Sequence, residues 1–244
     1  MKEGMLFFLL LLLPFVSFLY ASVGHGGASG YLALMALFSV VPDTIKQTAL
    51  LLNLFVAGIA FIQYYRAGYF RFRLFFWFAL GSVPAAYWGG TFQIEPTLYK
   101  KILGLFLLFA IFRMLWVTVE PTQTKKVFPW IAVLMGASIG FFSGLIGIGG
   151  GIILTPLLLL LNWAELKEAA AVSALFIWVN SGAALSGMLF SGIHLTATVL
   201  PMLAMALLGG WAGSYFGARK WKKNRLEQFL AVVLIAASIK LFMF

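Results

Sequence analysis

Two short glycine runs are the most chemically suggestive feature of the chain. Gly24-His25-Gly26-Gly27 and Gly147-Ile148-Gly149-Gly150, the second continued by Gly151, each follow a long apolar stretch and precede an unusually short one. Glycine accepts positive φ and lets other groups approach its backbone. A helix starting straight after such a run leaves its first N–H groups free and aims the positive end of its dipole at the run. That combination holds an anion without a fixed charge. One such run would more often serve close helix packing; its recurrence in both halves favours a site. His25 is the one ionisable residue inside either run. Neutral, it is a histidine satisfied by a backbone carbonyl; protonated, it adds a charge and a proton donor to the anion site.

Other polar residues fall inside apolar stretches, where a polar side chain usually faces the interior of a bundle. Asn53, Asn180 and Ser181 lie mid-stretch, and Thr48 and Ser173 stand near the start of corresponding stretches. Interhelical hydrogen bonding, worth about 0.6 kcal/mol on average, competes with substrate contact as their role. Gln47 is a weaker candidate. Trp178 more often packs or faces lipid than lines a cavity, His194 reads as a solvated loop residue, and Asp43 after Pro42 reads as a helix N-cap.

The elements that must position these groups follow from composition. Of 244 residues 63% are hydrophobic and 10% charged, with 17 Lys and Arg, 7 Asp and Glu, and no Cys. So few charges cannot cover a soluble globule, and runs of helical rather than strand length exclude a barrel. Without Cys there is no disulfide, thiolate zinc site or thiol nucleophile, and the few His and acids favour no metal centre or cofactor. An intramembrane enzyme lacks a convincing nucleophile–base pair. The formal charge of +10 sits in short loops, so it speaks for topology and a lipid bilayer rather than for nucleic acid.

Ten helical segments are expected: 5–23, 28–41, 46–66, 73–92 and 99–119, then 128–146, 151–162, 168–190, 196–217 and 225–243. The polar stretch 120–127 divides them into halves 1–119 and 128–244. Besides the glycine runs, Gly81, Ala85 and Gly89 recur as Gly209, Gly213 and Gly217 with the same spacing, a small-residue stripe suited to close helix packing. Five segments per repeat is an odd number, so the second copy must enter the membrane inverted. With the N-terminus outside, 12 basic residues fall inside and 5 outside, as short cytoplasmic loops require. Both termini are then external. The first segment resembles a secretory signal, but its counterpart lies mid-chain, so both read as structural helices. Segments 28–41 and 151–162 are too short to cross a hydrocarbon core of about 30 Å. They read as broken helices that start deep in the membrane, where irregular backbone survives only if protein buries it or water lines it.

The stretch Gly144-Leu-Ile-Gly147-Ile-Gly149-Gly150-Gly151-Ile-Ile-Leu-Thr-Pro156-Leu, its degenerate partner Ser22-Val-Gly24-His25-Gly26-Gly27-Ala-Ser-Gly30 and the duplicated layout resemble the sulfite exporter TauE/SafE family. The first copy departs from the second, with His25 opposite Ile148, Ala28 opposite Gly151 and Ala33 opposite Pro156. The resemblance implies export of sulfite or a related sulfur-containing or organic anion, with the glycine runs at the site. The expectation is therefore an all-α polytopic membrane bundle of two inverted repeats. It would carry a small anion by alternating access at a midplane site in the inner membrane, alone or as a homo-oligomer. A passive anion channel, or a non-transporting assembly factor or receptor, is the alternative.

Overall fold

The computed structural model describes residues 3–22, 24–40, 42–116, 124–191 and 199–219. The described residues form nine helices and no strand: α1 (Glu3–Ala21), α2 (Ala28–Leu37), α3 (Pro42–Arg66), α4 (Phe72–Thr91), α5 (Pro96–Trp116), α6 (Pro129–Ile146), α7 (Gly151–Leu160), α8 (Leu166–Phe190) and α9 (Val199–Arg219). The expected tenth span, residues 120–123 of the connecting stretch, and His194 lie outside the described residues. Four helical stretches, Thr44–Arg66, Pro129–Ile146, Leu166–Phe190 and Val199–Arg219, are each long and apolar enough to cross a bilayer. Large apolar side chains such as Trp88, Phe190 and Leu208 are exposed, as hydrocarbon rather than water requires of a surface.

Local chemistry sets most helix boundaries. Pro129 opens α6 at a position where a missing N–H costs nothing. Glu165 and Glu168 close a capping box on α8, and the Glu95 carboxylate accepts from the Thr97 and Leu98 amides at the start of α5. Asp43 is not the expected N-cap. Pro42 already opens α3, because its fixed φ suits the first helical position.

α3 and α8 lie against each other at the centre. Around them α4 packs on α6 and α8, while α9 packs on α1 and α3. The small-residue stripes make these contacts. A Cβ on Gly81 or Gly89 would meet the carbonyls of Val133 or Phe141 on α6, and one on Gly209, Gly213 or Gly217 would meet those of Pro14 or Phe18 on α1 or of Ser22 just past its end. α1 thus belongs to the bundle, with Leu9 and Leu13 fully buried.

α2 and α7 have ten residues each, about 15 Å of helix. Both stop short of their expected ends at matching left-handed residues, Ser39 (φ 56°) and Asn162 (φ 54°). Hydrogen bonds run from Val40 N to Met35 O and from Trp163 N to Leu158 O, a six-to-one closure that turns the chain off the helix. Ser39 and Asn162 are separated by the same offset as Gly24 and Gly147.

Candidate functional site

The glycine runs are built as the sequence suggests. Gly27 and Gly150 are the N-caps of α2 and α7 and both are left-handed, with φ 95° and 79°. A side chain at either would be strained. Neither helix has a side-chain cap or an acid in its first turn, so both N-termini keep donors and positive dipole ends uncompensated. The carbonyls leading into the tips are fixed by tyrosines: Tyr64 Oη on α3 donates to Ser22 O at 3.0 Å, and Tyr99 Oη on α5 to Ile146 O at 2.9 Å. Each tip also leans on the other half. Gly24 abuts Ala170 on α8, while Gly147 abuts Lys46 on α3.

The two tips meet at one carboxamide. A Cβ built on Gly26 would lie 2.9 Å from Asn53 Oδ1, and one built on Gly149 would lie 2.8 Å from Asn53 Nδ2. Ile177 Cγ2 closes against both positions at 2.9 and 2.8 Å, and Ser181 Oγ lies 3.2 Å from the second. Gly151 also packs on Ile177. On α8, Ile177, Asn180 and Ser181 share a face by three- and four-residue spacing.

Asn53, Asn180 and Ser181 are all 0% exposed, yet neither carboxamide nor the Ser181 hydroxyl has a hydrogen-bond partner within the protein. Leaving one such group unsatisfied costs about 1–3 kcal/mol. Asn53 and Ser181 thus stand unpartnered against the glycine tips, and Asn180 is unpartnered one helical step away on α8.

The remaining candidates divide. Gly24, His25, Gly26, Gly27, Gly147, Gly149, Gly150 and Gly151 are all buried in the tips. The His25 amide donates to Tyr20 O. Ser173 is bonded by Thr155 Oγ1 at 2.8 Å, the interhelical role, linking α7 to α8. Thr48 is buried and its hydroxyl has no partner, but five residues along a helix place it roughly 140° around α3 from Asn53. Trp178 is exposed and packs over Gly58, away from the tips.

Lys46, one of the five basic residues assigned to the outside, is not a solvated charge. It is only 7% exposed, one turn inside α3, and its Nζ donates to Gly90 O and Phe92 O at 3.2 Å, at the end of α4. Lys167, near the start of α8, does the same for α9 through Ala218 O at 3.4 Å, and also donates to Tyr69 Oη. Each lysine neutralises a helix C-terminus in its own half. Their recurrence near the start of the third helix of each half was the available signal.

A helical bundle with several apolar spans, and with buried, uncharged polar groups against the starts of two short helices, has the build of a membrane transporter. The chain belongs to the sulfite exporter TauE/SafE family, whose model matches residues 9–241. It is 35% identical over 235 residues to the probable membrane transporter protein y4hK of Sinorhizobium fredii, covering 93% of this chain and 94% of that one. It is 30% identical over 115 residues to the probable membrane transporter protein YunE of Bacillus subtilis, covering 46% of this chain and 40% of that one. No solved structure matches the chain.

Proposed function

We propose that the protein carries a small anion of the sulfite or sulfonate class out across the inner membrane, exposing one midplane site alternately to either side. The observation that carries this reading is the pair of unpartnered, fully buried carboxamides of Asn53 and Asn180, with the Asn53 amide wedged between Gly26 and Gly149. Amide and hydroxyl donors, with the N-termini of α2 and α7, suit an oxyanion and offer it no counter-carboxylate. The family name and the printed description of y4hK as a probable membrane transporter support the same class.

Halves 1–119 and 128–244, joined by 120–127, act in this proposal as inverted repeats with both termini outside. The paired exchange of α4 on α6 and α9 on α1 supports it. Complete burial of Asn53 and Asn180 favours a carrier over an open channel, since solute reaches them only when helices move. Export needs no coupling ion, because an inside-negative potential drives a monovalent anion outward with about 2.3 kcal/mol per 100 mV. No catalytic step and no cofactor enter the mechanism.

The test is a thermal-shift and flux screen of sulfite, thiosulfate, sulfonates and carboxylates on purified protein, in detergent and in liposomes. Saturable flux with counterflow is the expected result. Flux without counterflow would mean a channel, and no flux of any anion would mean an assembly factor or receptor.

A further inference from the structure

The surface cavity at the start of α4 and α6 serves no part of the transport site. It has a volume of about 480 Å³ and is lined by Arg71, Arg73, Lys125 and Lys126, with Trp77 and Val127 among its apolar walls. At about 30 Å³ per water, that is room for some sixteen waters, far more than a lone oxyanion needs. The N-termini of α4 and α6 reach its lining at Arg71 and Pro129, and neither has a side-chain cap or an acid in its first turn. Arg71 is committed to Glu168 at 3.1 Å and to Trp163 O. Among the described residues no carboxylate pairs with Arg73, Lys125 or Lys126.

We propose that this cavity binds the phosphate headgroup of an anionic phospholipid, with the basic side chains and helix N-termini on the phosphate and the Trp77 side against glycerol and acyl chain. The neighbouring Phe72, Phe128 and Trp130 are exposed, and an aromatic band of that kind sits at headgroup level. A soluble anion would use the charges but has no need of an apolar wall opening onto such a band. Basic pockets between helices recognise lipid phosphates through this pairing of charge with amphipathic surface. The linker carrying Lys125 and Lys126 joins the two halves, so a lipid held here would rest on both.

The experiment titrates delipidated protein in neutral detergent with phosphatidylglycerol, phosphatidylcholine or glycerol 3-phosphate, reading melting temperature and retained adducts by native mass spectrometry. Phosphatidylglycerol alone should stabilise and be retained. The exposed double substitution Arg73→Gln/Lys126→Gln should weaken that binding about 30-fold, at a factor of about five per basic residue. Lys100→Gln/Lys101→Gln, a basic pair on α5, should leave it unchanged. Equal stabilisation by phosphatidylcholine, or undiminished binding in the Arg73/Lys126 variant, would overturn the proposal. An equal effect of glycerol 3-phosphate would make the cavity a soluble-anion site and overturn the lipid assignment. The readout contains no flux, so it stands apart from the fate of the transport reading.

Discussion

Replacing Asn53 with Ala should move stability and binding in opposite directions. Both polar atoms of the Asn53 amide are buried without partners in the protein, a cost of about 1–3 kcal/mol for one orphaned group. Truncation removes that cost and leaves a space of about one water, about 30 Å³. At about 24 cal/mol per Å³ such a space costs about 0.7 kcal/mol. The variant should therefore be as stable as the parent or up to about 2 kcal/mol more stable, by these same magnitudes. A hydrogen bond to a charged group contributes about 1.5–3 kcal/mol, so affinity for sulfite or methanesulfonate should fall about 10- to 150-fold. Thermal melting in detergent measures the first quantity, and ligand-induced stabilisation with liposome uptake measures the second. Asn180→Ala should behave alike. A variant that melts several degrees lower while binding the anion normally would show that the amide is a structural bond, and the site would lose its central residue.

Gly26→Val and Gly149→Val should each abolish anion binding, because a side chain at either position occupies the place of the Asn53 amide. Gly149→Val should also lower the melting temperature, its φ being 75°, whereas Gly26 has no such strain; loss of binding in only one variant would assign the site to one repeat. Single cysteines in this Cys-free chain test the topology: Ala67→Cys should label only from the cytoplasm and Gly192→Cys only from outside, and labelling from the same side would end the inverted-repeat proposal. Lys46→Met should destabilise by about 1–2 kcal/mol, the value of a partly buried cation at a helix C-terminus, read as a drop in melting temperature that Lys46→Arg largely restores.

The spans and the tips were legible because both follow from coarse constraints. A hydrocarbon solvent fixes run length, and backbone that turns inside it needs glycine, as at Gly27 and Gly150. The Gly81 and Gly209 stripes were read correctly as packing surfaces for the same reason: small residues four apart have few other uses on an apolar helix. The helix ends were less legible. Ser39 and Asn162 turn left-handed after α2 and α7 although neither is glycine, so nothing in the apolar pattern marked where those helices stop.

Which of the candidate residues the fold brings together was only partly legible, and the missing part was a matter of azimuth. Sequence placed Thr48 and Asn53 on one helix and Ser173 and Asn180 on another, but only the three-dimensional pairing of α3 with α8 decides which face of each meets the tips. Asn53 turns inward between Gly26 and Gly149, whereas Ser173 is engaged with Thr155. The burial of Lys46 was not legible, because charge counting says nothing of solvation, while a long flexible stem brings its ammonium to the open carbonyls of Gly90 and Phe92. This bears on how an anion is held. The buried cation nearest the second tip, whose backbone touches Gly147, already has its charge directed at the end of α4. In the proposed function, selectivity for anions then comes from donors that carry no net charge: the uncapped turns of α2 and α7 and the two asparagines. A site of that kind holds its ligand more weakly than a lysine or arginine clamp would, which suits a carrier that must also let go.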